Sequence, residues 1–178
     1  MAKKLSGILA PICTPFVNQD LSIENVRDNM RKYRNAPLAG YFALGSNGEN
    51  KSLTEREKLD ILETVVREKA DHQMVLAGAG FESTRQTIEF SKKVADLGAD
   101  FVTIVTPSYF KKRLTDETMV RYYTDVADAL PIPVVVYNAP GFTGMTISAG
   151  VIGTISRHPN IAGMKDTSKG NMSSYLEA

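Results

Sequence analysis

The 178-residue sequence has one cysteine, no tryptophan and only two histidines. Because a single cysteine cannot form an intrachain disulfide, a disulfide-stapled scaffold is excluded and a reducing compartment is favoured. The apolar neighbours of Cys13 predict that its thiol is buried and inert. No apolar stretch approaches the roughly 18 residues that a membrane span requires, and no hydrophobic signal region follows the N-terminal lysines. These features predict a cytoplasmic protein with no membrane partner.

Charge and metal-ligand patterns exclude further classes. With 21 basic and 20 acidic residues the formal net charge is +1, which gives no reason to expect a nucleic-acid partner. His72 and His158 have no ligand spacing between them, so we predict no metal site and disfavour a zinc-dependent aldolase. A serine hydrolase is also disfavoured, because the Gly-x-Ser-x-Gly motif does not occur.

Short apolar runs alternate with amphipathic helical segments along the whole chain. Most of these runs are continuously apolar, which is typical of parallel strands covered by helices. They recur about every 30 residues, the length of one βα unit. The predicted strands are Gly7–Ile12, Gly40–Leu44, Met74–Ala77, Phe101–Val105, Pro133–Tyr137 and Ile161–Met164. Capping boxes at Ser52–Glu55 and Ser83–Gln86 predict helix starts, and Gly98 predicts a helix end.

Two architectures fit this alternation: a doubly wound open sheet and a (β/α)8 barrel. The run Gly78-Ala79-Gly80-Phe81 resembles a phosphate loop, but it lacks the third glycine and a later acidic partner, so it predicts a turn. Polar clusters instead follow several strands, as in barrel active sites. We predict an α/β fold of the (β/α)8 TIM-barrel type with about six βα units, in which residues 1–178 form one domain and the N-terminal portion of a barrel. Because only six strands are predicted instead of eight, three interpretations stay open. The chain could be a fragment of a barrel, another polypeptide could complete the barrel, or the fold could be the open sheet.

Lys165 follows the apolar run Ile161–Met164. Lysine is rarely buried, because removing an ammonium from water is costly unless it is paired or deprotonated. A desolvated lysine has a lowered pKa and becomes an amine nucleophile toward carbonyls. The strand prediction therefore makes Lys165 a Schiff-base candidate; the alternative is a lysine whose stem packs while its ammonium reaches solvent.

Two other clusters could act with this lysine. Tyr137 ends the strand that precedes Lys165 and could carry protons in a dry pocket, or it could be a half-buried core residue. Ser46 and Asn47 lie in a glycine-bounded loop whose amides suit a carboxylate or phosphate, or which could be a plain turn. Strand alternation predicts that Lys165 shares a face with Gly163 and Ile161 and lies beside Tyr137. An amine, a phenol and an anion-binding loop together suit amine catalysis on a 2-oxo acid.

Four motifs occur in order: GSNGE at Gly45–Glu49, VTPSYF at Val105–Phe110, YNAPGFTG at Tyr137–Gly144 and GMKDTS at Gly163–Ser168. In these motifs the chain resembles the dihydrodipicolinate synthase/N-acetylneuraminate lyase family of class I pyruvate-dependent aldolases. The resemblance implies a small 2-oxo acid substrate such as pyruvate, and no cofactor beyond the covalent imine that the substrate forms with the catalytic lysine.

The resemblance also implies roles for individual residues. Lys165 would form the Schiff base and Tyr137 would donate and accept protons. Ser46 and Asn47 would bind the pyruvyl carboxylate and join the proton relay, with Thr167 as a further substrate-binding residue. Tyr109 matches a tyrosine that reaches into the neighbouring subunit's site, which implies a homo-oligomer, either a dimer or a tetramer.

One position departs from dihydrodipicolinate synthase. Phe142 stands where that enzyme usually has the arginine that anchors the aldehyde's carboxylate, and a phenylalanine cannot make this contact. The segments LAGAGFEST at Leu76–Thr84 and HPNIAGMKD at His158–Asp166 are closer to the 4-hydroxy-2-oxoglutarate aldolase group. We therefore expect a class I aldolase or lyase of that type. The alternatives are a dihydrodipicolinate synthase-type condensation, a catalytically incomplete barrel that needs a complementing chain, and an open-sheet nucleotide binder.

Overall fold

The computed structural model describes residues 4–178. Strands and helices alternate along these residues, and short 3-10 turns occur at Ser46–Gly48 and Lys111–Arg113. The elements are β1 (Leu9–Pro11), β2 (Phe16–Val17), β3 (Asp20–Leu21), α1 (Ile23–Tyr33), β4 (Gly40–Ala43), α2 (Glu55–Glu68), β5 (Met74–Gly78), α3 (Thr84–Asp96), β6 (Phe101–Val105), α4 (Asp116–Ala129), β7 (Val134–Asn138), α5 (Pro140–Thr143), α6 (Ala149–Ile155), β8 (Ile161–Asp166) and α7 (Met172–Glu177).

All six predicted strands are confirmed, as β1 and β4 to β8, with ends that differ from the prediction by at most two residues. The hairpin of β2 and β3 was not predicted. These strands pair antiparallel with Phe16 opposite Leu21, and the turn residues Asn18 and Gln19 have φ values of 51° and 72°. Turns of this kind are usually marked by Asn-Gly. Because glutamine stands in the second position here, the sequence carries only a weak hairpin signal.

The described residues pack as two compact units. Unit 1 contains the described residues up to Gly78 together with Lys93–Val102. Within it, β1 pairs parallel with β4, and β4 pairs parallel with β5. Helix α1 contacts α2, and α2 contacts β4 and β5. The helices bury Val26, Met30, Leu62 and Val65, which are the apolar positions of two amphipathic helices.

Unit 2 contains Ala79–Lys92 and Thr103–Ala178. Within it β6, β7 and β8 are neighbours in that order, and β7 pairs parallel with β8. Helix α4 contacts α6, and α6 contacts α7. The Asn160 side chain donates hydrogen bonds to the carbonyl oxygens of Ala127, Leu130 and Ile132 at 2.8, 3.0 and 3.3 Å. Asn160 lies immediately before β8, so these bonds tie the start of β8 to the chain between α4 and β7.

The helix boundaries correct one prediction and confirm two. Helix α2 is capped by Thr54, whose hydroxyl accepts from the Glu57 N–H at 3.3 Å while the Glu57 carboxylate accepts from the Thr54 N–H at 2.7 Å. The predicted box at Ser52–Glu55 is therefore wrong by two residues. Ser83 does precede α3, with its hydroxyl accepting from the Gln86 N–H at 3.2 Å. Gly98 follows α3 at φ +94°, as a helix-ending glycine requires.

The prediction that Cys13 is buried is wrong. Its neighbours Ile12 and Thr14 are buried, whereas Cys13 is exposed, because alternate residues of an extended segment point in opposite directions. In the part of the chain that the structure describes, no helix combines the length and apolar character needed to cross a bilayer.

Candidate active site

Lys165 and Tyr137 meet at the carboxyl ends of β8 and β7. The two residues are register partners in the parallel pair. The Lys165 Nζ lies 3.7 Å from the centroid of the Tyr137 ring, over its face, well within the distance at which an ammonium is attracted by the ring electrons. Tyr137 is only 6% exposed. The predicted neighbourhood of the amine and the phenol is therefore confirmed.

The strand that carries Lys165 differs from its prediction in two respects. Lys165 is half-buried instead of buried, because β7 is the only strand that β8 pairs with among the described residues. The register also shifts, so that Val134 pairs with Ile161 and Val135 with Gly163. Consecutive residues of β7 point to opposite faces. Ile161 therefore does not share the Gly163 and Lys165 face, as uninterrupted alternation predicted.

A partly buried hydrogen-bond network lies at the same strand ends, one position further along the chain. The Asn138 Nδ2 donates to the Asp166 Oδ1 at 2.8 Å and to the Tyr175 hydroxyl at 3.0 Å. The Asp166 carboxylate also accepts from the Ser168 N–H at 3.0 Å and from the Ser168 hydroxyl at 2.7 Å. No role was predicted from the sequence for Asn138, Asp166 or Tyr175. Its one available signal was positional, since Asn138 and Asp166 each follow a predicted site residue by one position.

The pKa of Asp166 is lower than that of an ordinary aspartate. Partial burial raises it, but the hydrogen bonds from Ser168 and Asn138 and the positive charge of Lys165 outweigh that effect. Asp166 is therefore a carboxylate at neutral pH, and it accepts the network's hydrogen bonds without holding a proton of its own. By contrast, burial and the Asp166 charge raise the pKa of the Tyr175 hydroxyl, which keeps that group protonated.

The Ser46 and Asn47 loop belongs to unit 1. Both residues lie in the 3-10 turn Ser46–Gly48 and are exposed. The turn is held from both sides, since the Thr14 hydroxyl donates to the Gly48 carbonyl at 2.7 Å and the Asn50 amide donates to the Leu44 carbonyl at 2.6 Å. This arrangement leaves the two polar side chains available to a ligand. Their predicted convergence with Lys165 stays a prediction.

Tyr109 belongs to unit 2, in the loop after β6. It is 79% exposed and packs edge-to-face on Phe110, with ring centroids 4.8 Å apart. The loop is fixed by Glu82, whose carboxylate accepts from the Ser108 and Tyr109 N–H groups at 3.1 and 3.0 Å. This contact of Glu82 with the loop was not predicted from the sequence. Phe142 is also exposed, at 73%.

Thr167 directly follows β8, with an exposed side chain whose hydroxyl donates to the Asn138 carbonyl at 3.2 Å. The predicted substrate-binding hydroxyl is therefore already engaged with the strand that carries Tyr137. Among residues 4–178, no group of three or more histidine, cysteine or acidic side chains could hold a metal ion.

Comparison with known proteins gives these residues a context. A 4-hydroxy-tetrahydrodipicolinate synthase from Methanosphaerula palustris is 36% identical over 170 residues, which cover 94% of this chain and 57% of the relative. An L-threo-3-deoxy-hexylosonate aldolase from Aspergillus niger is 36% identical over 169 residues, which cover 90% of this chain and 50% of the relative. The crystal structure of a chloride-inhibited dihydrodipicolinate synthase from Acinetobacter baumannii, in complex with pyruvate, matches with a TM-score of 0.87 and 29% identity over 92% of this chain and 56% of that one.

These matches bear on the fold and on the family. The structural match shows an α/β fold of the (β/α)8-barrel type with six βα units, so the open-sheet alternative is wrong. The chain spans between 50% and 57% of the length of these three proteins. The model of the dihydrodipicolinate synthetase family matches residues 4–177, which is nearly the whole sequence. The chain therefore belongs to the dihydrodipicolinate synthetase family.

Proposed function

We propose that this chain carries the Schiff-base chemistry of a class I aldolase or lyase, which makes or cleaves a C–C bond next to a pyruvate enamine. The observation that carries the proposal is the position of the Lys165 amine, 3.7 Å over the ring of the buried Tyr137. Family membership supports it. A lysine amine over the ring of a tyrosine brings together a nucleophile for a carbonyl and a residue whose hydroxyl can move protons.

The reaction follows from these two groups. The Lys165 amine attacks the C2 carbonyl of a 2-oxo acid to give a carbinolamine. The carbinolamine hydroxyl leaves as water with the proton of the Tyr137 hydroxyl, which gives a protonated imine and leaves the Tyr137 oxygen able to accept a proton. In the cleavage direction the C4 hydroxyl loses its proton to the Tyr137 oxygen, the C3–C4 bond breaks, and its electrons pass into the imine to give the pyruvate enamine. An aldehyde leaves. The imine is the electron sink, so the proposal needs no cofactor.

The remaining predicted residues have supporting roles in the proposal. Ser46 and Asn47 bind the substrate carboxylate, and Thr167 is a further substrate-binding residue. Tyr109 reaches toward the neighbouring subunit of a homo-oligomer; its high exposure supports this role, since aromatic side chains are typical anchors of interfaces. A cytoplasmic location completes the proposal.

The test of the proposal is reduction with borohydride in the presence of pyruvate. Intact-mass measurement of the 178-residue chain should show one reduced pyruvyl adduct, because borohydride converts the imine to a stable secondary amine. Lys165→Arg should show none, since a guanidinium is not a nucleophile at neutral pH. Lys111→Arg, which replaces an exposed lysine of the same unit, is the matched control. A folded wild-type chain that gains no mass would refute the proposal.

The preferred substrate is of the 4-hydroxy-2-oxoglutarate type, a choice that rests on the segments Leu76–Thr84 and His158–Asp166, while Phe142 counts against the dihydrodipicolinate synthase reaction. An exposed phenylalanine provides no bidentate donor for a second carboxylate on an incoming aldehyde. The alternative is a dihydrodipicolinate synthase-type condensation of pyruvate with an aldehyde; the Methanosphaerula palustris relative bears the name 4-hydroxy-tetrahydrodipicolinate synthase. Pyruvate release from 4-hydroxy-2-oxoglutarate, measured beside condensation of pyruvate with a carboxylate-bearing aldehyde, distinguishes the two reactions.

A second candidate is a barrel that turns over only with a complementing chain. It is favoured by β8, which carries Lys165 and has one paired strand among the described residues. Native mass spectrometry combined with an activity assay tests this candidate. An active oligomer that contains only this chain would exclude it.

A further inference from the structure

The carboxyl ends of β7 and β8 carry a second pair of facing residues, one position beyond Tyr137 and Lys165. Asn138 is the register partner of Asp166, as Tyr137 is of Lys165. Because successive strand residues point to opposite faces, the second pair lies on the face away from the amine and the phenol. Helix α7 contributes Tyr175 to that second pair.

Asn138 is the centre of the network, and its side chain is fully buried. Its Oδ1 accepts from the Ile147 N–H at 3.1 Å, while its Nδ2 donates to both Asp166 and Tyr175. The Tyr175 hydroxyl donates in turn to the Ile147 carbonyl at 2.8 Å. The amide thus uses its acceptor and both of its donors. A buried amide with these partners is held in one orientation, because any other would leave a polar atom without a hydrogen bond.

The rest of β8 is weakly constrained. Its residues are half-buried or exposed, and a register shift near Ala162 interrupts the pairing with β7. Gly163 has a φ of +155°, and a Cβ there would meet no atom within 4 Å. The register of a strand is poorly specified where neither of its faces is well buried, and a slip by one residue would turn Lys165 to the opposite face.

We propose that Asn138, Asp166 and Tyr175 form a positioning network, which fixes the register of β8 on β7 and thereby holds the Lys165 amine over the Tyr137 ring. The inference rests on the proposed function, because it assigns the network's role to imine formation. None of the three residues needs to touch the substrate. They act through the strand ends, where a displacement of about 1 Å can slow a reaction by about 100-fold.

Asp166 allows geometry to be separated from charge. An asparagine at this position can keep the same contacts: its oxygen accepts from Asn138 and from the Ser168 N–H, and its NH₂ donates to the Ser168 hydroxyl. The substitution Asp166→Asn therefore removes the negative charge and retains the network. Asp166→Ala removes both. If the network acts by position, the conservative variant keeps the rate of imine formation and the alanine variant loses it.

The experiment measures two quantities in the 178-residue chain and its variants: the rate of borohydride-trappable imine formation with pyruvate, at subsaturating and saturating concentrations, and the amide hydrogen exchange of residues 163–166. Tyr175→Phe is the mildest variant, since it removes one buried hydroxyl and keeps the ring. Tyr123→Phe is its matched control, because Tyr123 is fully buried in the same unit and its hydroxyl donates only to the Ile104 carbonyl, at 3.2 Å.

We expect Tyr175→Phe and Asp166→Ala to slow imine formation at saturating pyruvate by about 10- to 100-fold and to speed exchange in β8. Asp166→Asn and Tyr123→Phe should stay close to the wild type in the rate of imine formation, and exchange in β8 should be slower in Asp166→Asn than in Asp166→Ala. If the wild type forms the imine and the Tyr175→Phe and Asp166→Ala variants form it at the same rate, the inference is overturned. It is also overturned if the rate of imine formation falls as far in Asp166→Asn as in Asp166→Ala. A wild-type chain that forms no imine would refute the proposed function instead, while the exchange data would still report on the network.

Discussion

At the scale of residues, two adjacent register pairs on β7 and β8 have different roles. Tyr137 and Lys165 place an aromatic ring under an amine, 3.7 Å from centroid to Nζ. Asn138 and Asp166, one position further along, make the hydrogen bonds that tie the strand ends together. Because the side chains of a strand alternate in direction, these two consecutive register pairs supply both a reactive face and a structural face.

Replacement of Tyr137 by phenylalanine tests its role in proton transfer. Tyr137→Phe keeps the ring under the Lys165 amine and removes the hydroxyl, so the imine should still form. Exchange of the C3 protons of pyruvate with deuterated solvent should slow by about 10²- to 10⁴-fold, the usual contribution of a positioned acid–base group. Proton NMR of pyruvate measures this exchange, with Tyr123→Phe as the control. An unchanged exchange rate would remove Tyr137 from the mechanism.

The lowered pKa of Asp166 predicts a specific dependence of stability on pH. Its folded-state pKa lies below the ordinary value of 3.8, so its carboxylate stabilises the fold above that pH, and the stabilisation is lost as the pH falls through the folded value. The wild type should therefore be more stable than Asp166→Asn near neutral pH, and the difference should shrink below pH 3.8. Urea unfolding of both chains at several pH values measures this difference; one that does not change with pH would contradict the assignment.

At the scale of elements, the start of α2 is set by Thr54. The Thr54 hydroxyl and the Glu57 carboxylate satisfy each other's backbone N–H groups. We expect Thr54→Ala to lower the free energy of unfolding by about 1 kcal/mol, the usual cost of losing such a cap. Ser52→Ala is the control and should have little effect, because Ser52 is exposed and does not cap the helix. If urea unfolding shows that both variants lose the same free energy of unfolding, the assignment of Thr54 as the cap in place of Ser52 would be contradicted.

The elements also show how far the sequence could predict this fold. Six strands were predictable because each is an apolar run between amphipathic helices, and Gly98 marked a helix end because only a glycine readily adopts its φ of +94°. The Thr54 cap was missed because Ser52 offers the same pattern two residues earlier. The hairpin of β2 and β3 was missed because its turn is Asn-Gln. Periodicity could not predict the register shift in β8, since that depends on pairing with another strand.

The candidate site, like the fold, could be predicted from the sequence only in part. Lys165 and Tyr137 stood out as polar residues at the ends of apolar strands, and their register makes them neighbours. Tyr175 could not be predicted, because it reaches Asn138 from α7, 37 positions further along the chain. The half-burial of Lys165 is closer to the alternative of a lysine whose stem packs while its ammonium reaches solvent. The sequence could not choose between burial and that alternative, because the choice depends on how many strands flank β8.

At the scale of the whole molecule, the proposed homo-oligomer can be tested through Tyr109. This residue and Phe110 form an exposed aromatic pair on a loop that Glu82 holds in place. Native mass spectrometry should detect a dimer or tetramer, and Tyr109→Ala should weaken it by about 10-fold or more, as expected for an aromatic interface anchor. Tyr33→Ala, at a partly exposed tyrosine in unit 1, is the control. An oligomer that is equally strong in both variants would exclude Tyr109 from the interface.

The central claim, that Lys165 is the amine that forms the imine, is tested most directly by locating the adduct. The chain is reduced with borohydride in the presence of pyruvate labelled with carbon-13 at C2, then digested and sequenced by tandem mass spectrometry. The proposal predicts that the label lies on the Lys165 side chain, with no comparable label on Lys111 or Lys169. Label on another lysine, or spread evenly over the exposed lysines, would contradict the account.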